Sequence, residues 1–488
     1  MLCQITRENK PTSLNLSLTS ENAIDVVTNN TVLRQLVLGY FLLICVIAPF
    51  NLLAFDTYYY WDWSRHLALS YYDGPPLIAY IIRLTTLFMG NTLYALTFIS
   101  VLFTAMTGYV VYKTASMFLN EKACYIATLL WLTSPLVTQD LLVQVTYDTP
   151  LTFFWACSLY YAISYIKKNN VKTLYCLGVA VGFLLLSKYT GIVLIGCLLF
   201  FISSTNYIRL LKNQHFYGAI LLALLMFSPV LIWNIQHDWV SIDYQMNAHH
   251  TDRHFKFWLV LLQNFAYKIL PSINVMILAP FLLIKQRESE NSVIIRLLII
   301  IAIGFLGFYT LLAMTTDFRV TWLAQYVLMS SLLMGFGLQQ YQKKLRGMMY
   351  AYIGVNILIS ILILLNTCLH FVPSNNYTDY KLIQQFNKDY PEQSELVVTS
   401  GWIVARHLFF LKAKPLIYTI DCTYKQNAYQ FWRAELDRQI ANNTKDVWFM
   451  DFNDEKACVE RHFKYCERQP SAAISTRQLF VYRCKFIN

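Results

Sequence analysis

Charge is scarce in this sequence. Only 14% of its 488 residues are Asp, Glu, Lys or Arg, while 56% are hydrophobic; a soluble domain carries about a quarter charged residues. That deficit excludes an ordinary soluble domain. Motifs for common chemistries are missing too: no Walker A loop, no HExxH, no GxSxG and no CxxC, which removes the usual signatures of P-loop phosphotransfer, zinc proteolysis, serine hydrolysis and dithiol exchange. There are nine histidines, and the adjacent His249–His250 is by itself a weak metal signal. No internal repeat, low-complexity linker or ten-residue alternation of a β-barrel is visible.

What the chain has instead is apolar length. Mean hydropathy is +0.41, and runs of about 20 apolar residues, each enough to cross a bilayer, recur near 33–53, 92–112, 123–139, 149–166, 173–187, 190–206, 216–235, 257–284, 293–314, 322–340 and 349–371. A spanning backbone must satisfy its own hydrogen bonds, so the expectation is a polytopic α-helical membrane protein with about eleven transmembrane helices. The net charge of +11 is a topology signal rather than a nucleic-acid footprint. Loops on the amino-terminal side hold Arg7, Lys10, Lys113, Lys122, Lys167, Lys168, Lys172, Arg209, Lys212, Lys285, Arg287, Lys343, Lys344 and Arg346. Opposite loops hold fewer cations, so the amino terminus is expected in the cytoplasm.

Three regions follow: a cytoplasmic tail over 1–31, a transmembrane region over 32–371 with an external loop at 54–91, and an extracytoplasmic α/β domain over 372–488. The tail lacks a signal-peptide cleavage site, so the first apolar run reads as an uncleaved anchor. In the last region, LVVTS, PLIYTI, DVWFM and QLFVYRC read as strands. It also carries Cys422, Cys458, Cys466 and Cys484. Three pairings are open in an oxidising compartment, with Cys458–Cys466 the expected local pair.

Functional candidates gather on the predicted outer side. FDTYYYWDWSRHLALSYYDGPPL, Phe55 to Leu77, crowds acids and aromatics directly after the first apolar run. Asp56, Asp62, Asp73, Asp148 before Pro150, Lys188 in LLSKYTG, and Arg319 all fall at membrane edges, where charge is costly and hints at function. Each has a bland alternative. Asp56 suits a solvated helix end, Asp148 a helix N-cap, Lys188 a snorkelling cation, and Arg319 and the aromatics an interfacial belt. Together, two carboxylates and a cation on one side of the bilayer supply a base for a hydroxyl and a counter-charge for a departing phosphate.

DTYYYWDWSRHLALSYYDGPPLIAYIIRL resembles the first external loop of bacterial membrane glycosyltransferases related to protein O-mannosyltransferases and aminoarabinose lipid A transferases. The likeness runs on through TYDTPLTFFWACSLYY, LLSKYTGIVL and PVLIWNIQHDWVSIDYQ. It implies a GT-C fold and transfer of a sugar from a polyprenyl-phosphate donor at the periplasmic face of the inner membrane. The acceptor would be lipid A, another glycolipid, a polysaccharide or a protein; no nucleic acid is implied as partner. By position Asp56 and Asp148 would be catalytic, with Lys188, Arg65 and Arg319 near the donor phosphate. Tyr59, Tyr60, Asp73, Pro75, Pro76, Tyr189, Asn234 and His237 would line the substrate pocket. Thr57 stands where the family has Glu, and Gly74 where it has His or Lys. No cofactor is fixed by these residues, and a divalent metal ion is left open. A transporter or flippase, or an inactive relative of the transferases, is the rival reading; a transporter predicts inverted repeats and mid-bilayer charge.

Overall fold

The computed structural model describes residues 30–47, 53, 55–247, 291–315, 320–340, 343–371 and 375–390; beyond these it describes 396–399, 409–411, 416–420, 428–429, 431–432, 446–474 and 476–486. The helices, in order, are α1 Asn30–Ile47, α2 Phe55–Trp63, α3 Leu77–Met89, α4 Leu93–Ala115, α5 Glu121–Leu132, α6 Asp148–Lys168, α7 Val171–Ser187, α8 Ile192–Ser203, α9 Gln214–Gln236 and α10 Val240–Asn247. After the segment outside the description come α11 Ser292–Thr315, α12 Ala324–Gln340, α13 Lys343–Leu369 and α14 Asn375–Asp389.

Most expected spans fall on these helices within a few residues. The expected run 123–139 breaks at Leu132, because Pro135 has no N–H to continue the ladder and the chain rewinds as a π-helical turn over Thr138–Leu142. The run 257–284 lies outside the described residues. By length and composition five described helices can cross a bilayer: Asn30–Ile47, Leu93–Ala115, Gln214–Gln236, Ser292–Leu312 and Tyr350–Leu369. A sixth arises if the bent pair Tyr189–Ser203 and Asn206–Lys212 counts as one span. Their outward faces show leucine and isoleucine to the surroundings, as at Leu38, Leu42, Leu221, Leu225, Leu311 and Leu358, which suits a hydrocarbon solvent.

Local sequence explains where helices stop and how closely they pack. Lys167 and Lys168 complement the carboxy-terminal dipole of α6, Asn169 closes it in the left-handed conformation, and the Asn170 side chain then caps the start of α7. In α4 the buried hydroxyls of Thr97, Ser100, Thr107 and Thr114 donate to carbonyls three or four residues back, so small polar residues face the bundle at little cost. Gly178 and Gly182 repeat at a four-residue interval on α7. A Cβ at Gly178 would meet the Ala219 carbonyl oxygen, and one at Gly182 would lie 2.7 Å from Met226 Cβ. These two positions let α7 and α9 touch backbone to backbone.

The bundle has two chemically different ends. At one, Asn30 bonds Glu121, Lys167 bonds Asn291, and the Asn120 amide donates to Gln339. At the other lie α2, the 133–147 connection, the α7–α8 junction, α10 and residues 320–323. Thr57, fully buried, accepts a 2.8 Å hydrogen bond from the Val145 amide, and Gln245 donates to the Asp73 carbonyl at 2.6 Å.

Beyond α14 the described strands are β1 Leu396–Thr399, β2 Leu416–Thr419, β3 Val447–Asp451, β4 Phe463–Arg468, β5 Ala473–Ile474, β6 Arg477–Gln478 and β7 Phe480–Phe486, with helix α15 Lys456–His462 before β4. Five strands form a sheet in the order β2-β1-β3-β7-β4. β1 is parallel to β2 and β3, while β7 is antiparallel to β3 and β4. The expected pair Cys458–Cys466 is corrected here. Cys466 faces Cys484 directly across the β4–β7 ladder and is bonded to it, because cross-strand register rather than sequence proximity brings two Cβ atoms within reach. Cys458 is disulfide-bonded too, but not to Cys466.

The sheet side packs on α2 through rings. Tyr58 meets Phe409 and Phe410 at 5.3 and 5.0 Å, Trp61 meets Phe409 at 5.0 Å, and His66 stacks on Trp432 at 4.3 Å. Polar-looking α2 is thus a buried aromatic wedge: Tyr58, Trp61 and Trp63 are each at most 2% exposed.

Candidate active site

Three backbone decisions build the site. First, α2 begins at Phe55, which puts Asp56 in its first turn, where free backbone N–H groups favour a negative charge. Asp56 and Tyr60, four residues apart, share one helix face. Second, α6 starts at Asp148, but Asp148 does not cap it with its own carboxylate. Thr146 Oγ1 accepts from the Asp148 amide at 3.1 Å, and Thr149 Oγ1 accepts from the Thr146 amide at 3.2 Å. The N-cap reading of Asp148 therefore fails, since the threonines do that work and leave its carboxylate free. Third, α7 ends at Ser187 and Lys188 adopts an extended conformation before the short turn Tyr189–Gly191. Its side chain points back into the bundle.

Lys188 Nζ reaches both carboxylate oxygens of Asp148 at 2.9 Å. The pair is nearly sealed, with side chains 11% and 7% exposed. The ammonium also lies over the Tyr147 ring at 4.4 Å and the Trp322 ring at 5.5 Å, a setting that favours a cation. Burial alone would lower the Lys188 pKa. The Asp148 carboxylate, helped by Tyr147 and Tyr309, outweighs it and holds the amine above its ordinary range. Lys188 is a fixed positive charge.

It stands at one wall of a cavity of about 210 Å³ whose other walls include Tyr147, Tyr189, Ile192, Phe308, Tyr309, Leu312 and Trp322. Ile192 is 62% exposed, so this slot opens on the lipid-facing side of the bundle. Thr190 and Gln245 also line it, so the slot carries one cation, two further polar side chains and otherwise aromatic and aliphatic walls, which matches an anionic head on an apolar tail.

Asp56 is half-buried and linked to this cavity through two phenols. Tyr60 packs edge-on against Tyr147 with centroids 5.0 Å apart; Lys188 favours ionisation of the Tyr147 hydroxyl, and Asp56 opposes it. Burial first, then neighbouring acids and phenols, pushes the Tyr60 hydroxyl well above its usual pKa; burial likewise raises Tyr147. Both remain neutral donors at physiological pH.

Asp73 forms a second cluster beside the first. The turn Tyr71–Gly74 closes with two reciprocal backbone hydrogen bonds and needs glycine at 74, where φ is +155°. Asp73 at its tip accepts from Tyr59 at 2.5 Å, and the Tyr59 hydroxyl in turn accepts from the Ala428 amide at 3.0 Å. Gly74 thus supplies turn geometry, and Thr57 supplies the buried anchor for the stretch from Val145 that carries Tyr147 and Asp148.

Lys188, Tyr147 and Tyr189 line the cavity, Asp148 pairs with Lys188, Tyr60 packs on Tyr147, and Tyr59 bonds Asp73. Pro75 and Pro76 are buried ahead of α3 and set its start. Asn234 and His237 lie at the end of α9, where Asn234 Nδ2 donates to the hydroxyl of the cavity-lining Tyr189 at 3.4 Å. Asn234, buried, accepts the His237 and Trp239 amides at the end of α9, and His237 stacks on Trp233 at 4.0 Å while bonding its carbonyl. They brace the strained turn in which Asp238 and Trp239 take positive φ. Arg65 follows the end of α2 by two residues. Its guanidinium pairs with Asp62 at 3.0 Å over the Trp61 ring, on the sheet side of α2. Arg319 and His249–His250 lie outside the described residues. Among the described residues no three His, Cys, Asp or Glu side chains cluster in a metal-ligating group. Tyr147, Tyr309 and Phe308 escaped the sequence reading. Tyr147 is adjacent to Asp148, and that adjacency was the available signal; the other two are ordinary span residues until packing turns them to the cavity.

Known proteins resemble the chain in sequence and in fold. The model of the dolichyl-phosphate-mannose-protein mannosyltransferase family matches residues 73–233, the segment carrying Asp73, Asp148 and Lys188. Lipid A galacturonosyltransferase RgtD of Rhizobium johnstonii is 28% identical over 220 residues, 44% of this chain and 46% of that protein. The chain therefore spans less than half the length of this curated relative. ArnT from Cupriavidus metallidurans bound to undecaprenyl phosphate superimposes with a TM-score of 0.65 at 13% identity, over 91% of this chain and 97% of ArnT. Its apo state gives 0.63 at 12% identity over the same shares. The fold is the GT-C fold, as the resemblance read from the sequence implied.

Proposed function

We propose that this chain transfers a glycosyl group from a polyprenyl-phosphate donor to a glycolipid acceptor of the lipid A class, at the periplasmic face of the inner membrane. One observation carries the reading: a buried, permanently charged Lys188 at the end of an apolar slot open toward lipid, with Asp56 across two neutral phenols from it. The undecaprenyl phosphate bound to ArnT and the lipid A acceptor in the name of RgtD support the two substrate classes.

The donor's isoprenoid tail lies along Ile192, Phe308 and Leu312, and its phosphate meets Lys188. Asp148 keeps Lys188 in place and charged. The acceptor hydroxyl enters beside Asp56. Its oxygen bonds to the anomeric carbon as the bond from that carbon to the phosphate oxygen breaks, which inverts the centre. The hydroxyl proton passes to the Asp56 carboxylate, and the negative charge left on the phosphate is met by Lys188. Tyr60 and Tyr147 donate hydrogen bonds and take no proton.

The test is mass spectrometry of envelope glycolipids from cells with the wild-type chain and with Asp56→Asn. General-base removal predicts a loss of about 10²–10⁴-fold in transfer with unchanged insertion and melting temperature. Wild-type levels of product in Asp56→Asn sink the assignment.

A further inference from the structure

At the end of the bundle away from Lys188, α8 and α11 border a second cavity. It encloses about 620 Å³ and is lined by the run Ser203 to Tyr207 together with Val293 and Arg296. α8 stops at Ser203, and the chain bends by 106° into Asn206–Lys212. Exposed Ile208 and Leu211 alternate there with exposed Arg209 and Lys212, the pattern of a segment lying in a membrane interface.

The chemistry of this cavity is asymmetric. The hydroxyl protons of Ser203, Ser204 and Thr205 are donated to the carbonyls of Phe200 and Phe201 at 2.7 to 3.0 Å. Their oxygens are left as acceptors only, and that of Thr205 already accepts one hydrogen bond, from the Tyr207 amide at 3.4 Å. Arg296 sits early in the apolar helix α11, is exposed, and has no ion-pair partner among the described residues. A guanidinium of this kind matches a phosphate with two parallel hydrogen bonds, and the hydroxyl oxygens match a donor attached close to that phosphate.

Position names the source. Arg296 and Leu312 are sixteen residues apart on one helix, so this cavity and the Lys188 slot are separated by about 24 Å at 1.5 Å per residue, close to the roughly 30 Å of a hydrocarbon core. The Arg296 cavity therefore lies at the headgroup level of the opposite leaflet. We propose that it binds the headgroup of a membrane glycerophospholipid whose phosphodiester carries a hydrogen-bond donor, as phosphatidylethanolamine does. The phosphate pairs with Arg296 and the ammonium with the oxygens of Ser203, Ser204 and Thr205, while the acyl chains run along α8 and α11. This holds whatever the chain does at Lys188.

Native mass spectrometry of the purified full chain tests it, with phosphatidylethanolamine or phosphatidylcholine added in detergent. Wild type is expected to retain phosphatidylethanolamine about tenfold more strongly than phosphatidylcholine, whose headgroup has no N–H. Arg296→Gln is expected to lower that retention about tenfold. Val293→Trp, which fills the cavity and leaves the cation, lowers it too, and Arg209→Gln, outside the lining, does not. Equal retention of the two lipids overturns the proposal, as does undiminished retention in both Arg296→Gln and Val293→Trp. Displacement by millimolar glycerophosphoethanolamine would make the ligand a free phosphodiester and overturn the lipid assignment.

Discussion

Two buried ion pairs in this molecule look alike and sit in different surroundings. Lys188 and Asp148 pair at 2.9 Å at the mouth of the bundle; Arg477 and Asp379 pair at 2.9 and 3.2 Å between the sheet side and α14. Both acids are almost fully buried, and both cations lie on aromatic rings: Lys188 on Tyr147, Arg477 on Phe452 at 4.6 Å. The difference is room. Lys188 lines a cavity of about 210 Å³, whereas the Arg477 pair, with Asp379 fully buried, clamps α14 to β6. A buried pair is weak evidence for function until the space beside it is known, since desolvation offsets much of its Coulombic gain in either setting.

Substitutions that remove one partner sharpen the contrast. Lys188→Met leaves Asp148 charged and uncompensated, with an expected destabilisation of about 3–5 kcal/mol and loss of donor retention, read by melting in detergent and by binding of undecaprenyl phosphate. Adding Asp148→Asn to Lys188→Met should recover most of the stability and none of the binding. Recovery of binding in the double variant breaks the assignment of Lys188 to the phosphate. Arg477→Met is expected to lower stability by a similar amount while the folded fraction keeps full donor retention; a selective loss of retention there would erase the distinction between the pairs.

Smaller effects test the supports. Thr57→Val removes the acceptor of the buried Val145 amide and should cost about 1–3 kcal/mol, with transfer falling because Tyr147 and Asp148 shift relative to Asp56. Unchanged stability would mean that a different group takes up that amide. The smallest expected effect concerns Asp62. Burial raises its pKa, against the pull of Arg65 and His66 and the Tyr429 hydroxyl. A carboxyl with a raised folded pKa stabilises most when protonated. Its contribution is complete below the unfolded value of about 3.9 and is lost as pH rises through the folded value. The melting difference between wild type and Asp62→Asn should therefore move against wild type as pH climbs from about 4 toward neutrality, and a flat difference would contradict the raised pKa. Lys188 behaves oppositely in range: its folded pKa is raised, so its contribution is complete below about pH 10.4 and lost only above, leaving the neutral range flat.

Much of the bundle was legible because hydrocarbon-length periodicity is a strong local signal. LTFFWACSLYYAISYIKKNN announces α6, its cationic end and its asparagine stop in order. The interruption after Leu132 was less legible, since apolar composition continues through Pro135 to Val137 and only the proline marks the break. Asp56, Asp148 and Lys188 stood out because charge is rare at membrane edges. Asn234 and His237 stood out equally, and they also brace a turn, because polarity near a span end is what a sharp reversal needs. The Cys466–Cys484 bond was hidden by β-sheet register, which pairs residues 18 apart in preference to the eight-residue neighbour.

The sequence alone determined the membrane class, the approximate ends of the spans and the polarity of the two bundle ends, because burial in hydrocarbon acts on composition one segment at a time. Only the tertiary structure decided that Asp148 holds Lys188 rather than capping its own helix, that Tyr147, Phe308 and Leu312 wall the slot, and that the aromatic helix is buried under the sheet. Those outcomes depend on distances between segments up to several hundred residues apart, set by packing that no local window contains.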